Sequence, residues 1–567
     1  MGGRKKKDSN DLLVPLALSV IECSPKGVAN PKRKHVRHER APVGTLCELA
    51  QISKRGNRMT KYFQCFLGTL VFLAPICGLK ATGQESQQKV DIDWEKTIIV
   101  SKSTPTLQVV TNPMLNPGSP IHDGSFSALK ALGADYVRYV PWLPYPKIAV
   151  AELEPPTKEK TSWDFTYIDP VTKDFLAATE GHSTIINFST IPAWMFKTDQ
   201  PVKYPDDPNQ VFWDYTKGTE LRDPTGMEMG DYFGRLVSWY TKGGFTDENG
   251  KRHESGYHYS FPYWEVLNEV DFEHSTTPED YAKRYDAIVE GIRKVSPNTK
   301  FMGIALAIPG QNPKYFEYFL NPKNHKAGIP LDYISFHFYA TPAMDETLDG
   351  WQHTFFNQAA GFLATTRYIL AIRDRLSPQT KIDTDELGVI LPTDDVEIRA
   401  SKAMPDHIPH RYWNAAGALY AYLFVELSKL GVDVIGESQL VGYPSQFPSV
   451  SMIDYNNGKP NARYWVLKLI KDNFHPGDKL VAQKPAKGFE PNYVMSQGFV
   501  TPQGKKVLLV NKTNSARTVK LSEDLRDAAS QTVDEDTGDE APRTGAAAGD
   551  ELMLAPFAVT ILTAKQF

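Results

Sequence analysis

Beyond residue 100 the chain alternates short apolar runs with longer amphipathic stretches. Eight runs have the β-branched and aromatic content of buried strands: residues 107–111 (LQVVT), 135–140 (DYVRYV), 183–189 (STIINFS), 263–268 (YWEVLN), 300–306 (KFMGIAL), 333–339 (YISFHFY), 381–387 (KIDTDEL) and 432–438 (VDVIGES). Between them lie stretches of helical spacing such as FSALKALG, PEDYAKRYDAIVEGIRKVS and AAGALYAYLFVELSKLG, each closed by Gly or Ser where a helix should stop. Eight strand-then-helix units closing on themselves predict an α/β fold, a (β/α)8 TIM barrel spanning about residues 100–480. The alternative, an open doubly wound sheet, calls for a Gly-rich phosphate loop after an early strand, and none is present in the sequence.

The pattern changes from about Val481. YVMSQGFVT, KKVLLVNKT, ARTVKLS and FAVTILTA are short, alternating and separated by Pro, Gly and Asn, which predicts a small antiparallel β-sandwich over 481–567. Residues 526–550, rich in Ala, Gly, Asp and Thr, read as a loose acidic loop, and the last strand is expected to return to the barrel side.

Upstream of the barrel, Met59 opens a lysine-bearing segment, an apolar run from Phe63 to Leu79, and Ala81-Thr82-Gly83, the small-x-small form of a signal-peptidase site. The run is interrupted by Gln64, Gly68 and Pro75 and is short for a membrane span. The expectation is a signal peptide over 59–83, a mature chain from about Gln84 with no stable membrane span, and a secreted or periplasmic protein. Residues 1–58, with the basic runs GRKKKDSN and PKRKHVRHER, read as an over-extended start or as a solvated basic tail.

Composition narrows the partners. Of 567 residues, 41% are hydrophobic and 11% aromatic, as in globular proteins, and a formal net charge of −4 argues against nucleic acid or an anionic membrane as the main partner. All four cysteines, Cys23, Cys47, Cys65 and Cys77, precede the predicted barrel. His253 and His258 lie in a predicted hairpin insertion without the Cys or regular His/Glu spacing of a metal site, so neither metal nor cofactor is expected. NFS at 187 and NKT at 511 match a glycosylation pattern, the first inside a predicted buried strand.

The candidate chemistry sits where apolar strands end in acids. In YWEVLNEVD, residues 263–271, the fourth strand runs into Asn268 and Glu269; in KIDTDELG the seventh runs into Glu386. In a parallel barrel the C-terminal strand ends form the ligand-facing rim, and the fourth and seventh strands lie across it from each other. Two such carboxyls suit glycosidic hydrolysis, in which one protonates the leaving oxygen and the other stays ionised at the anomeric carbon, roughly 5–5.5 Å apart in a retaining pair. Taken singly, Glu269 reads equally as a helix cap or ion-pair partner. Asp385 adjoins Glu386, but successive strand residues alternate faces, so only one is expected at the mouth, and Glu386 is assigned to it.

With these motifs the chain resembles the retaining glycoside hydrolases of clan A, and within them family 39, the β-xylosidases and α-L-iduronidases. EVLNEVD resembles the family's Asn-Glu acid/base motif, TDELG its nucleophile motif, SFHFY its Ser-x-His-x-Tyr strand, and WDFTYIDPVTKDFL and PAWM its segments after the second and third strands. Leu387 stands where the family has an aromatic residue, and Arg138 leads into YVPWLPY instead of Arg-x-His-Gly, which leaves the sugar open. The resemblance implies Glu269 as general acid/base, Glu386 as nucleophile, Asn268 on the 2-hydroxyl, and His337 and Tyr339 orienting the nucleophile. Arg138 would keep Glu386 ionised, and Trp142 and Trp194 would stack on sugar. For His337, Trp142 and Trp194, core packing is an equally open reading, and for Glu437 a salt bridge is expected. An exported retaining glycosidase acting on a carbohydrate is thus expected, with a binding-only barrel and a transglycosylase as alternatives.

Overall fold

The computed structural model describes residues 87–565 apart from 213–217, 395–407, 443–446 and 486–491. The expected signal segment and the basic N-terminal extension lie outside the described residues. No described helix is long and apolar enough to cross a membrane.

Eight parallel strands close into a barrel in chain order: Thr104–Val110, Val137–Val140, Thr184–Ile186, Tyr263–Glu265, Lys300–Leu306, Tyr333–Ala340, Lys381–Val389 and Val434–Glu437, with the last pairing back to the first. A helix follows each, among them His122–Leu132, Met227–Thr241, Pro278–Val295 and His410–Leu430. Local chemistry explains the ends. Thr277 caps Pro278–Val295 by accepting the Asp280 N–H, with Pro278 pre-set for the first turn. Gly431, at φ 76°, closes His410–Leu430 in the left-handed conformation that glycine adopts without a Cβ clash. Met227–Thr241 and Pro278–Val295 cross with backbones in contact because Gly230 and Gly291 face each other; a methyl on either would enter the opposite helix's backbone.

The C-terminal domain is a sandwich of a three-stranded sheet (Gln88–Val90, Arg517–Leu521, Glu551–Leu554) and a seven-stranded sheet. Two expectations are corrected here. Residues ahead of the barrel join the sandwich, Gln88–Val90 beside Arg517–Leu521 and Ile92–Val100 beside Lys479–Gln483. The presumed loose loop at 526–550 contains the paired strands Ala529–Val533 and Arg543–Ala546; its polar composition reflects an exposed edge hairpin. The last strand, Val559–Thr563, pairs between Gly504–Asn511 and Ala529–Val533. Phe499 stacks on Phe474 from the barrel's final helix at 4.0 Å, and Lys506 Nζ donates to Asn473 at 2.8 Å, so sandwich and barrel share a packed boundary.

Candidate active site

The fourth strand ends at Glu265, and the next four residues do not simply extend it. Leu267 (φ 65°) and Glu269 (φ 42°) are both left-handed, a conformation costly for residues with side chains. The Glu269 N–H donates to the Ala305 carbonyl at 2.8 Å, tying the curled segment to the fifth strand. The Glu269 side chain keeps 18% exposure. Glu386, from the seventh strand, keeps 9%.

His337, from the sixth strand, stands between them. Its Nδ1 is 3.0 Å from a Glu269 oxygen and 3.5 Å from Glu386 Oε2. One oxygen of each carboxylate and a His337 ring nitrogen lie within 4.8 Å of one another. Tyr339 Oη donates to Glu386 Oε2 at 2.7 Å, and Arg138 Nη1 donates to Oε1 at 2.6 Å. The structure therefore brings Glu269, Glu386, His337, Tyr339 and Arg138 into one constellation.

The alternation argument against Asp385 does not hold. Ser335 pairs with Asp383 but His337 with Glu386, and the register also slips on the other side, between Thr384 and Leu387, so a bulge at 384–386 turns both acids inward. Asp385 approaches Arg138 Nε at 3.0 Å and His337 Nε2 at 3.6 Å. It is almost wholly buried, whereas Glu386 reaches the opening.

Charge at the site follows from this crowding. Burial pushes the Glu269 carboxyl up; the His337 hydrogen bond opposes the shift and the Glu386 charge adds to it. Burial alone would disfavour a charged His337, but Glu386 and Asp385 hold its imidazole well above the ordinary range. Burial likewise opposes ionisation of Asp385, yet Arg138 and His337 bring it below the usual carboxylate range. Glu265 is driven up to about 7 by burial despite Arg138.

Arg138, 1% exposed, organises the layer beneath. It donates to Glu265 at 2.5 Å, to Gln108 at 2.6 Å and to the Asn268 carbonyl oxygen at 2.6 Å. Asn268 Nδ2 in turn donates to Glu273 Oε1 at 3.0 Å, which Trp142 Nε1 also reaches at 2.5 Å. Trp194 is not part of this group: its ring lies under the Arg222 guanidinium at 4.3 Å and its indole N–H donates to the Glu152 carbonyl at 2.8 Å. Glu437 makes the expected salt bridge, to buried Arg463 at 2.9 Å.

Sequence reasoning missed Gln108, Asn187, Glu265, Glu273, Ser335 and Ser438. Asn187 donates to Glu265 at 2.7 Å and Ser438 Oγ accepts from Gln108 at 2.7 Å, so both serve the polar floor of the mouth. Asn187 and Asn511 are fully buried, so the two glycosylation-type patterns are structural asparagines in the fold described. The available signal was polar residues inside otherwise apolar strands, read at Glu269 but not at Glu265.

Residues 80–358 match the sequence model of glycosyl hydrolases family 39, and residues 491–562 match that of the D-apionate lactonase C-terminal immunoglobulin-like domain. No curated protein sequence matches the chain. Among solved structures, the GH51 arabinofuranosidase from Xanthomonas axonopodis pv. citri is similar at 14% identity and TM-score 0.54, covering 83% of this chain and 98% of its own. A glucosidase from Croceicoccus marinus is similar at 15% identity and TM-score 0.54, covering 85% and 99%. The GH51 α-L-arabinofuranosidase from Thermotoga petrophila RKU-1 is similar at 14% identity and TM-score 0.54, covering 84% and 100%.

Proposed function

We propose that this chain, an O-glycosyl hydrolase carrying a glycosyl hydrolases family 39 domain over residues 80–358, cleaves its substrate by double displacement between Glu269 and Glu386. The observation that supports the reading most is that the two carboxylates and His337 converge within 4.8 Å from opposite sides of the barrel mouth. That spacing leaves no room for a water between carboxylate and sugar, as inversion requires, and suits direct attack.

Each residue has a part. Glu386, with one oxygen held by Arg138 and the other by Tyr339, attacks the anomeric carbon, and the glycosidic oxygen departs with the proton of Glu269. Glu269 is suited to hold that proton because burial and the Glu386 charge raise its pKa. Once Glu386 is esterified its charge is gone, Glu269 becomes more acidic, and it can take a proton from the water that releases the sugar. Asn268 donates to the 2-hydroxyl next to the reacting carbon.

Arg138 is committed to Glu265, Asp385, Glu386 and Asn268, and carboxyls crowd the mouth, so a neutral sugar suits the site better than a uronic acid. An exo-acting glycosidase of β-xylosidase-like type, exported by a signal segment at 59–83, completes the reading; mass-spectrometric identification of a mature N-terminus near Gln84 tests the export. For the chemistry, a panel of aryl glycosides is incubated with the wild type and with Glu386→Ala. Turnover of a neutral glycoside by the wild type, lost in the variant, supports the mechanism. Undiminished turnover by Glu386→Ala refutes it, and sugar binding without turnover by the wild type supports a binding-only barrel instead.

A further inference from the structure

Glu273 is a further carboxyl beside the acid/base, and double displacement leaves it without a task. Its N–H donates to the Glu269 carbonyl at 2.7 Å, so it sits one turn beyond the acid/base, and its side chain turns back beneath Asn268. The residue is 3% exposed.

Its two oxygens have different surroundings. Oε1 accepts from both Trp142 Nε1 and Asn268 Nδ2, whereas Oε2 is buried with no protein partner. Two donors on one oxygen and none on the other is the pattern of a neutral carboxylic acid, its carbonyl oxygen saturated and its hydroxyl holding a proton to donate. Burial favours that neutral form, and Glu269 adds to it whenever its carboxyl is ionised. Glu273 also lines a cavity of about 40 Å³ with His274 and Thr190, whose Nε2 and Oγ1 are likewise buried without partners. The rest of that lining is largely apolar, among it Leu143, Ile191 and Phe196, which keeps Oε2 out of bulk solvent.

The consequence falls on Asn268. Arg138 fixes its amide oxygen and Glu273 takes one amide hydrogen, so the side chain is held from both ends and only one Nδ2 hydrogen remains. An amide flip would set its NH2 group against a guanidinium and its oxygen against the Glu273 oxygen. We infer that Glu273 is a positioning residue: it locks the Asn268 amide, and with it the Trp142 indole, in the orientation that meets the 2-hydroxyl of the sugar. This inference rests on the glycosidase reading above and assigns one more residue to the same site.

The test uses the aryl glycoside that the wild type turns over fastest and its 2-deoxy counterpart, with three variants at position 273. Glu273→Leu removes the acceptor, Glu273→Asp withdraws it by one methylene while staying polar, and Glu273→Gln keeps it in place. On the parent glycoside, kcat is expected to fall by about tenfold to hundredfold for Leu and Asp, the effect of one misplaced buried hydrogen bond, with KM changed much less. Glu273→Gln should recover most of that loss. On the 2-deoxy glycoside, all three should fall together within about threefold of the wild type, because the group that Asn268 meets is missing.

A loss of equal size on both substrates would assign Glu273 a general structural role and overturn the inference, as would full activity of the Leu or Asp variant on the parent. Should Glu273→Leu not fold, the Asp and Gln pair decides between the same outcomes. Absence of any turnover by the wild type would instead refute the glycosidase reading on which the inference rests.

Discussion

Replacing Arg138 by methionine tests whether the mouth is organised around its buried guanidinium. The guanidinium faces Glu265 at 2.5 Å, Asp385 at 3.0 Å and Glu386 at 2.6 Å, and also donates to Gln108 and Asn268. Methionine keeps much of the apolar stem but is shorter and uncharged, so Glu265 loses its counter-ion and Asp385 and Glu386 are left with His337 alone. Removing one partner of a buried pair costs about 3–5 kcal/mol, and with roughly 2–4 °C of Tm per kcal/mol in a large domain the variant should melt about 6–20 °C lower near pH 7.5. The deficit should also depend on pH. Burial pushes Glu265 up to about 7 even with the arginine beside it, so without that charge the carboxyl is raised further. A carboxyl raised in the folded state stabilises fully below its unfolded value near 4.5 and less as pH rises through the folded value. The gap between variant and wild type should therefore narrow on going from pH 7.5 to 5, followed by thermal unfolding at both. An unchanged Tm at pH 7.5, or a deficit that widens in acid, would refute the idea that Arg138 works by neutralising these acids.

Other outcomes follow from the same geometry. Glu269→Gln should lower kcat by about 10²–10⁴-fold on alkyl glycosides and far less on dinitrophenyl glycosides, whose leaving group needs no proton; equal losses on both would rule out the acid role. In the wild type, kcat/KM should fall on the alkaline side as Glu269 loses its proton, and because burial raises that group the alkaline limb should lie above the usual carboxylate range in a pH–rate profile. Glu152, outside the constellation of Glu269 and Glu386, is pushed up to about 8 by burial and Glu248, with Oε2 unpartnered. Its stabilising neutral form is complete below about 4.5 and lost as pH rises through about 8, so Glu152→Gln should gain Tm relative to the wild type between pH 5 and 9, and a constant difference over that range would count against it.

Much of this was legible along the chain because strand and helix periods are local properties. KFMGIAL and YISFHFY are dominated by apolar residues since a barrel strand is covered on both faces, and their observed spans Lys300–Leu306 and Tyr333–Ala340 match the pattern closely. Acids at the ends of such strands are costly to place in a core, which made Glu269 and Glu386 visible as rim residues without any coordinates.

What the tertiary structure alone decided is everything that departs from an ideal period or joins distant segments. A bulge at 384–386 cannot be read from KIDTDELG, and it alone brings Asp385 inward beside Glu386. The edge strands before the barrel pair with partners some 400 residues later, a match set by backbone hydrogen bonding and not by composition. Trp142 and Trp194 look alike in sequence, yet one reaches Glu273 at the mouth and the other packs under Arg222, because loop paths are fixed by what they pack against. Sequence therefore determined which residues could carry the chemistry, and packing determined which of them share a site, since proximity in a closed barrel arises from strands that meet only when the last one pairs with the first.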